Sequence, residues 1–417
     1  SEEGCIVSSS ATLAVAIPRR FGRGWRLAAA LLALVGNLAG CAGSQVDGST
    51  ISALPPLQLP DATLTAADAA KRVPRADLLS LDEPMRQFVA RYTDDLPDDR
   101  MRLMSLHEAV RGAGGLDLQY DASAEGTARD VFHRGVANCL SYANLFVALA
   151  REAGLDAGYH WVEVRPQWSR VSERVQIGLH VNVLVRLRDG NHFMVDIDPL
   201  PVRKMARSRE LSDAEAEALY YNNIAMDALG RNELASAWLH VLQALQLSPA
   251  TAHLWVNLGA IYRSNGQHRA AEQSYLQALE LDSTEFSAMT NLAVLYGLEG
   301  RAQERAYWLG RVDAHRQANP YFHAWQGDEA AAAGDWPAAL VHYDRAVALL
   351  PEDGYLVFSR GLIRYQLGDP GAAALDMEQA IALATLQSDI TYYRRQLDAV
   401  RKAPLAGVRL SATPRGA

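Results

Sequence analysis

The chain is short of cysteine, short of positive charge, and without a long apolar run, and each shortage excludes something. Three cysteines stand in 417 residues, Cys5, Cys41 and Cys139, too few for a disulfide framework to stand in for a hydrophobic core. The formal charge is -8, and residues 1–40 hold Arg19, Arg20, Arg23 and Arg26 against Glu2 and Glu3, a net +2, so setting them aside leaves -10. No basic stripe remains to follow a phosphate backbone, which sets nucleic acid aside as a partner. The run Leu27 to Val35 is too short to span a bilayer. What is present is an ordinary apolar content and enough length for two or three domains.

Arg19 to Arg26 followed by Leu27 to Val35 reads as the positive region and apolar core of a secretory signal. It ends in Leu38-Ala39-Gly40-Cys41, which resembles the bacterial lipoprotein signal, where a Leu, two small residues and a Cys are read by a dedicated signal peptidase. The resemblance implies loss of residues 1–40 and acyl chains on Cys41. Several chains on one residue exceed the marginal membrane binding of one. It implies an anchored place in a bacterial cell envelope, and Ala42 in place of Asp points to the periplasmic face of the outer membrane. The competing reading is an ordinary signal peptide with a coincidental Cys. The eighteen residues ahead of Arg19 and the missing Met suggest an upstream start artefact. Residues 41–83, rich in Ser, Ala, Pro, Asp and Thr and punctuated by Pro55, Pro56, Pro60 and Pro74, read as a flexible tether.

A first folded domain is expected over 84–206. Met85 to Tyr92 and Asp98 to Val110 read as helices, and Thr127 to Arg134 as a shorter one. Cys139 then opens a helix in which Leu140, Ala143, Val147 and Ala150 recur at helical spacing, with Gly154 placed to end it. Three strands follow, 157–164, 179–187 and 191–198, the last two joined at Asp189-Gly190. Alternation puts Val181, Val183, Val185 and Leu187 on one face with Phe193, Val195 and Ile197; His180, Asn182, Arg186, His192, Asp196 and Asp198 fall on the other.

A lone cysteine is by default a buried, inert residue. Against that, a thiol at a helix N-terminus feels the positive end of the helix dipole, which favours thiolate. Asn138-Cys139-Leu140-Ser141 through Asn144 to Arg151 and Gly154-Leu155, with His180-Val181-Asn182-Val183 and Val195-Asp196 downstream, resembles the transglutaminase-like superfamily over roughly 115–200. The resemblance implies an α+β papain-like fold with the cysteine helix packed on an antiparallel sheet, and a catalytic Cys139, His180 and Asp196, with Asp198 as the alternative carboxylate. Asn182 stands near the place where the family often has an aromatic, which bears on substrate class.

The chemistry has its own logic. A Cys139 thiolate attacks an amide or ester carbonyl, His180 holds the thiol proton and returns it to the leaving group, and a carboxylate orients the imidazole. The backbone N–H of Cys139 is the expected first oxyanion donor. Zinc at Cys139, His180, His192 and Asp196 is disfavoured, because the cysteine has no close Cys or His partner. His192 reads as a surface residue or as one that supports the site from behind. No cofactor and no metal is called for.

Over 212–385 the chain repeats. Gly266, Gly300, Gly334 and Gly368 stand thirty-four apart, as do Asn257 and Asn291, Tyr262 and Tyr296, and Ala346 and Ala380; Pro249 and Pro351 are three steps apart. With Trp255 to Tyr262, Ala271, Tyr275 and Ala278-Leu279, this is the tetratricopeptide (TPR) pattern, an all-α solenoid of about five units. The first unit reads as carrying two extra residues after Gly230; the third is degenerate at Val312 and lacks the closing Pro. Tyr220, Tyr221, Trp238, Trp308, Trp325 and Trp336 either line a peptide groove or fill the helix interfaces. Residues 386–402 read as a capping helix and 403–417 as a disordered tail.

The expectation is an envelope enzyme, a transglutaminase-like cysteine hydrolase or acyltransferase acting on a peptide, protein or cell-wall amide, with repeats that bind a protein partner or substrate and a lipidated Cys41 that reaches the membrane. The alternatives are a non-catalytic scaffold with a relic papain-like domain, and a peptide-binding module without turnover.

Overall fold

The computed structural model describes residues 7–9, 48–112, 114–164, 167–168, 175–176, 179–197, 205–384 and 387–402. Cys41, Asp198, the tail 403–417 and all of 1–40 except 7–9 lie outside the described residues. An α+β papain-like domain built on one antiparallel sheet is followed by an all-α TPR solenoid.

The chain enters through β1 (Val7–Ser9), α1 (Gly48–Ser52), β2 (Leu57–Gln58), β3 (Thr63–Leu64) and α2 (Ala66–Arg72). The expected tether over 41–83 is corrected here, because from Gly48 onward it is a strap folded on the solenoid. Ile51, Leu57, Leu64, Ala69 and Val73 are buried in one cluster with Trp238 and Leu242. The strap's prolines bring carbonyls but no N–H groups, and solenoid side chains satisfy those carbonyls. Gln267 Nε2 donates to Pro56 O at 3.0 Å, Asn265 Nδ2 to Gln58 O at 2.7 Å, and the Tyr262 hydroxyl to Pro55 O. A polar, proline-rich composition hid five spaced apolar anchors.

The first domain runs α3 (Glu83–Thr93), α4 (Asp99–Arg111), β4 (Gln119–Tyr120), α5 (Ala128–Arg134), β5 (Val136–Ala137), α6 (Cys139–Glu152), β6 (Asp156–Val164), β7 (Gln167–Trp168), β8 (Val175–Gln176), β9 (Leu179–Arg186), β10 (His192–Val195) and β11 (Met205–Leu211). The main sheet is ordered β1-β10-β9-β6-β11, every neighbour antiparallel. The strand expected over 191–198 stops at Val195, and Asp196 sits just past its end. Helix α6 is buried without a break from Leu140 to Ala150, as a helix apolar on every side must be. It packs into the face formed by Val181, Val183, Val185, Phe193 and Val195, all buried. Leu145, Phe146 and Leu149, fully buried, contribute about 1.5–3 kcal/mol each to holding that helix in place.

Strand β11 was not anticipated. It pairs with β6 as far as Leu211, and Ser212 then caps the first solenoid helix, its side chain and that of Glu215 closing a capping box. The sheet therefore runs straight into the solenoid with no linker.

The solenoid pairs α7 (Asp213–Gly230) with α8 (Leu234–Leu247), α9 (Ala252–Ser264) with α10 (His268–Leu281), α11 (Phe286–Leu298) with α12 (Ala302–Ala318), α13 (Pro320–Ala332) with α14 (Trp336–Leu349) and α15 (Gly354–Gln366) with α16 (Pro370–Leu383), and α17 (Gln387–Lys402) caps the end. The first unit carries no insertion. Asn232, thirty-four before Gly266, takes the left-handed turn with φ 60° that Gly266, Gly300, Gly334 and Gly368 take in later units. Asparagine tolerates that conformation better than other non-glycine residues, so the period holds while the letter changes. Trp238, Tyr221 and Trp308 are buried between helices, whereas Tyr220, Trp325 and Trp336 are partly exposed. The apolar core divides between Val312 and Ala324, after the unit whose second helix runs long.

Candidate active site

The site is assembled at the end of the sheet where β9 begins and β10 finishes. Cys139 is the first residue of α6 and half-buried. Asn138 precedes it as N-cap: its side chain accepts from Ser141 N at 2.8 Å, and its own N–H donates to Ser141 Oγ at 2.9 Å. Ser141 Oγ donates in turn to Ala124 O at 2.7 Å, and Asn144 Nδ2 to Gly126 O at 3.0 Å, pinning loop 124–126 against the helix. The cysteine thus starts a capped helix whose first N–H groups have no intrahelical partner and point toward whatever lies beyond the N-terminus.

His180 and Asp196 are both buried, and His180 Nε2 donates to Asp196 Oδ2. With Nε2 so engaged, Nδ1 is the ring nitrogen left for a second contact, and Cys139 lies near enough to act on the imidazole electrostatically. Burial pulls the imidazole pKa down, but the hydrogen bond to Asp196 and the influence of Asp196 and Cys139 outweigh it and raise it to about 10. The structure brings together Cys139, His180 and Asp196. It does not bring in His192, which is exposed at the opposite end of β10, paired with Arg186. Asn182 lies on the His180 face and accepts from His160 Nδ1 at 3.0 Å. Among the described residues no group of three or more His, Cys, Asp or Glu is placed to hold a metal ion.

Two neighbours escaped the sequence reading. Arg111, at the end of α4, donates through Nη1 to the carbonyl oxygens of Asp196 at 3.0 Å and of Ile197 at 2.7 Å, fixing the turn that carries the carboxylate. Its helix was legible, but a terminal arginine looks like any dipole-complementing cation. Glu125 accepts from Asn138 Nδ2 at 2.7 Å; fourteen residues ahead of the cysteine, it belongs to no periodic pattern.

A helix-borne cysteine on an antiparallel sheet, with a His on one strand, an Asp just past the end of its neighbour and a helical-repeat solenoid behind, is the architecture of a papain-like domain joined to TPRs. Residues 86–198 match the family model "Transglutaminase-like superfamily", and 252–285 and 329–403 match "Tetratricopeptide repeat" models. The chain carries a transglutaminase-like domain followed by TPRs. Cellulose synthase operon protein C of Xanthomonas axonopodis pv. citri is 28% identical over 41% of this chain and 12% of its own length. Photosystem I assembly protein Ycf3 of Synechococcus elongatus is 32% identical over 22% of this chain and 54% of its own length. This chain therefore spans between about an eighth and about half of these curated relatives. Among solved structures, MamA of Desulfovibrio magneticus is 17% identical, covering 41% of this chain and 96% of that one, with a TM-score of 0.24, too low to argue from.

Proposed function

We propose that the transglutaminase-like domain is a cysteine acyl hydrolase or acyltransferase acting on an amide of a peptide, a protein or the cell wall, and that the repeats hold the substrate or a protein partner. The observation that carries this reading is the buried imidazole between two groups: His180 hydrogen-bonds to Asp196, and Cys139 is near enough to raise its pKa. His180 takes up the proton of the Cys139 thiol. Sulfur adds to the carbonyl carbon, and the oxygen gathers charge against the Cys139 backbone N–H at the start of α6. His180 delivers its proton to the leaving nitrogen, leaving a thioester. Water or an amine, losing a proton to His180, then releases the acyl group, and only that last nucleophile separates hydrolysis from transfer.

Lipidation of Cys41 belongs to the same proposal, and the cleavage it entails removes β1 and leaves β10 as the edge strand of the sheet. Seven residue steps separate Cys41 from Gly48, where the strap begins, and cannot exceed about 25 Å even fully extended. The anchored solenoid is then held close against the bilayer, on the bacterial envelope, instead of ranging on a long leash.

The test is alkylation of the full chain by iodoacetamide, read as modification of the Cys139 peptide by mass spectrometry across pH. Rapid modification well below the free-thiol pKa of about 8.5, lost in His180→Ala, is the expected result. A slow, His180-independent reaction would return Cys139 to a packing role and favour the scaffold reading.

A further inference from the structure

The buried carboxyl of Glu125 lies where the two halves of the protein meet. Its Oε1 accepts from Asn138 Nδ2 at 2.7 Å and from Asn223 Nδ2 at 2.6 Å. Asn138 is the cap of α6, one residue before Cys139, and Asn223 belongs to α7, the first solenoid helix. One oxygen therefore joins the nucleophile's cap to the repeats. The other, Oε2, is buried without a hydrogen-bond partner, which is costly unless the position is needed.

The linkage continues on both sides. The loop carrying Glu125 is held to α6 by Ser141 and Asn144, and Arg134 Nη2 donates to Glu125 O at 2.8 Å. On the solenoid side, Asn222, beside Asn223, accepts from Asn257 Nδ2 of the second unit at 2.7 Å. Asn223, Asn257 and Asn291 occupy one repeat position, thirty-four apart, and in the first unit that amide is turned to Glu125. Burial raises the Glu125 pKa, with Asp227 of α7 acting the same way, while the two asparagine amides and Arg134 oppose them. The group is held by its amide donors and, among the described residues, has no cation in direct contact with its carboxyl oxygens, so its role is geometric.

We propose that Glu125 is a positioning residue that couples the seating of the first repeat to the nucleophile, through Asn223, Glu125 and Asn138. A protein bound to the first two repeats that displaces α7 pulls on the cap that places Cys139 against His180. The inference rests on Cys139 being the nucleophile.

Four variants of the full chain decide it, by the pH profile of Cys139 alkylation. Asn223→Ala and Glu125→Ala each slow the reaction at pH 7 by about tenfold or more, the worth of one hydrogen bond to a carboxyl near a charged site. The double variant is no slower than Glu125→Ala alone, because both act through one contact. Glu125→Gln keeps the accepting oxygen and stays within about threefold of the parent. Should Glu125→Ala fail to fold, Asn223→Ala, partly exposed on α7, decides alone. An unchanged rate in Asn223→Ala overturns the coupling, and Glu125→Gln as slow as Glu125→Ala overturns the geometric role. Loss of His180 dependence in the parent chain would instead sink the nucleophile reading.

Discussion

Replacing Asp196 by Asn isolates what the carboxylate does for the imidazole. The amide keeps an oxygen at the hydrogen-bonding position and removes the charge. Two unit charges about 4 Å apart in an environment of effective dielectric about 20 attract by about 4 kcal/mol, and every 1.36 kcal/mol is about one pKa unit. Removing that attraction from His180, whose pKa stands at about 10, lowers it by about three units toward the ordinary imidazole range, with Cys139 still opposing burial. The consequence for stability has a definite sign. A raised folded-state pKa adds stability that is fully present below about 6.5 and is lost as pH rises through about 10. Asp196→Asn therefore costs most at pH 6, on the order of a few kcal/mol, and the gap to the parent closes by pH 10. Urea denaturation of both chains at pH 6, 8 and 10 measures the gap, and NMR titration of labelled histidine reads the imidazole directly. An imidazole that titrates within half a pH unit of the parent, or a gap that widens toward pH 10, would refute the account of the site.

Three further perturbations reach the rest of the structure. His107, buried against Phe146 with its pKa lowered to about 4 by burial and by nearby Arg111, opposes protonation in the folded state. Stability present above pH 6.5 should fall by up to about 3 kcal/mol as pH drops through 4, and His107→Leu should flatten that fall in a thermal-melt series. Leu57→Ala removes a fully buried anchor of the strap and should cost about 2–5 kcal/mol by denaturation, whereas a loose tether would leave stability unchanged. Gly259→Ala puts a methyl 2.5 Å from the Tyr275 ring and should cost about 1–3 kcal/mol in the same assay; a neutral result would mean the helix pair is looser than this packing requires.

How far each part was legible in the sequence follows from the range of the interactions that make it. The solenoid and the cysteine helix are written in local periodicity, so spacings such as Gly266 to Gly300, and Leu140, Ala143, Val147 and Ala150, were enough. His180 and Asp196 share a face by strand parity alone, and the same parity placed Asp198 there too; Asp196 hydrogen-bonds to His180 Nε2, while Asp198 lies outside the described residues. Where a pattern was judged by letter instead of by conformation it misled: Gly230 looked like the turn, yet Asn232 carries the left-handed φ. The strap, β11, Arg111 and Glu125 depend on partners from about forty to over 200 residues away or on no period at all, as in β11 with β6, Arg111 with Asp196 and Gln58 with Gln267. Every one of these hidden contacts ties one part of the molecule to another. The strap binds solenoid units, β11 joins sheet to α7, and Glu125 joins α7 to the nucleophile's cap. The two domains that a linear reading separates are therefore joined by direct contacts, and on the proposed reading a partner engaging the repeats acts on a body that includes the Cys139 site.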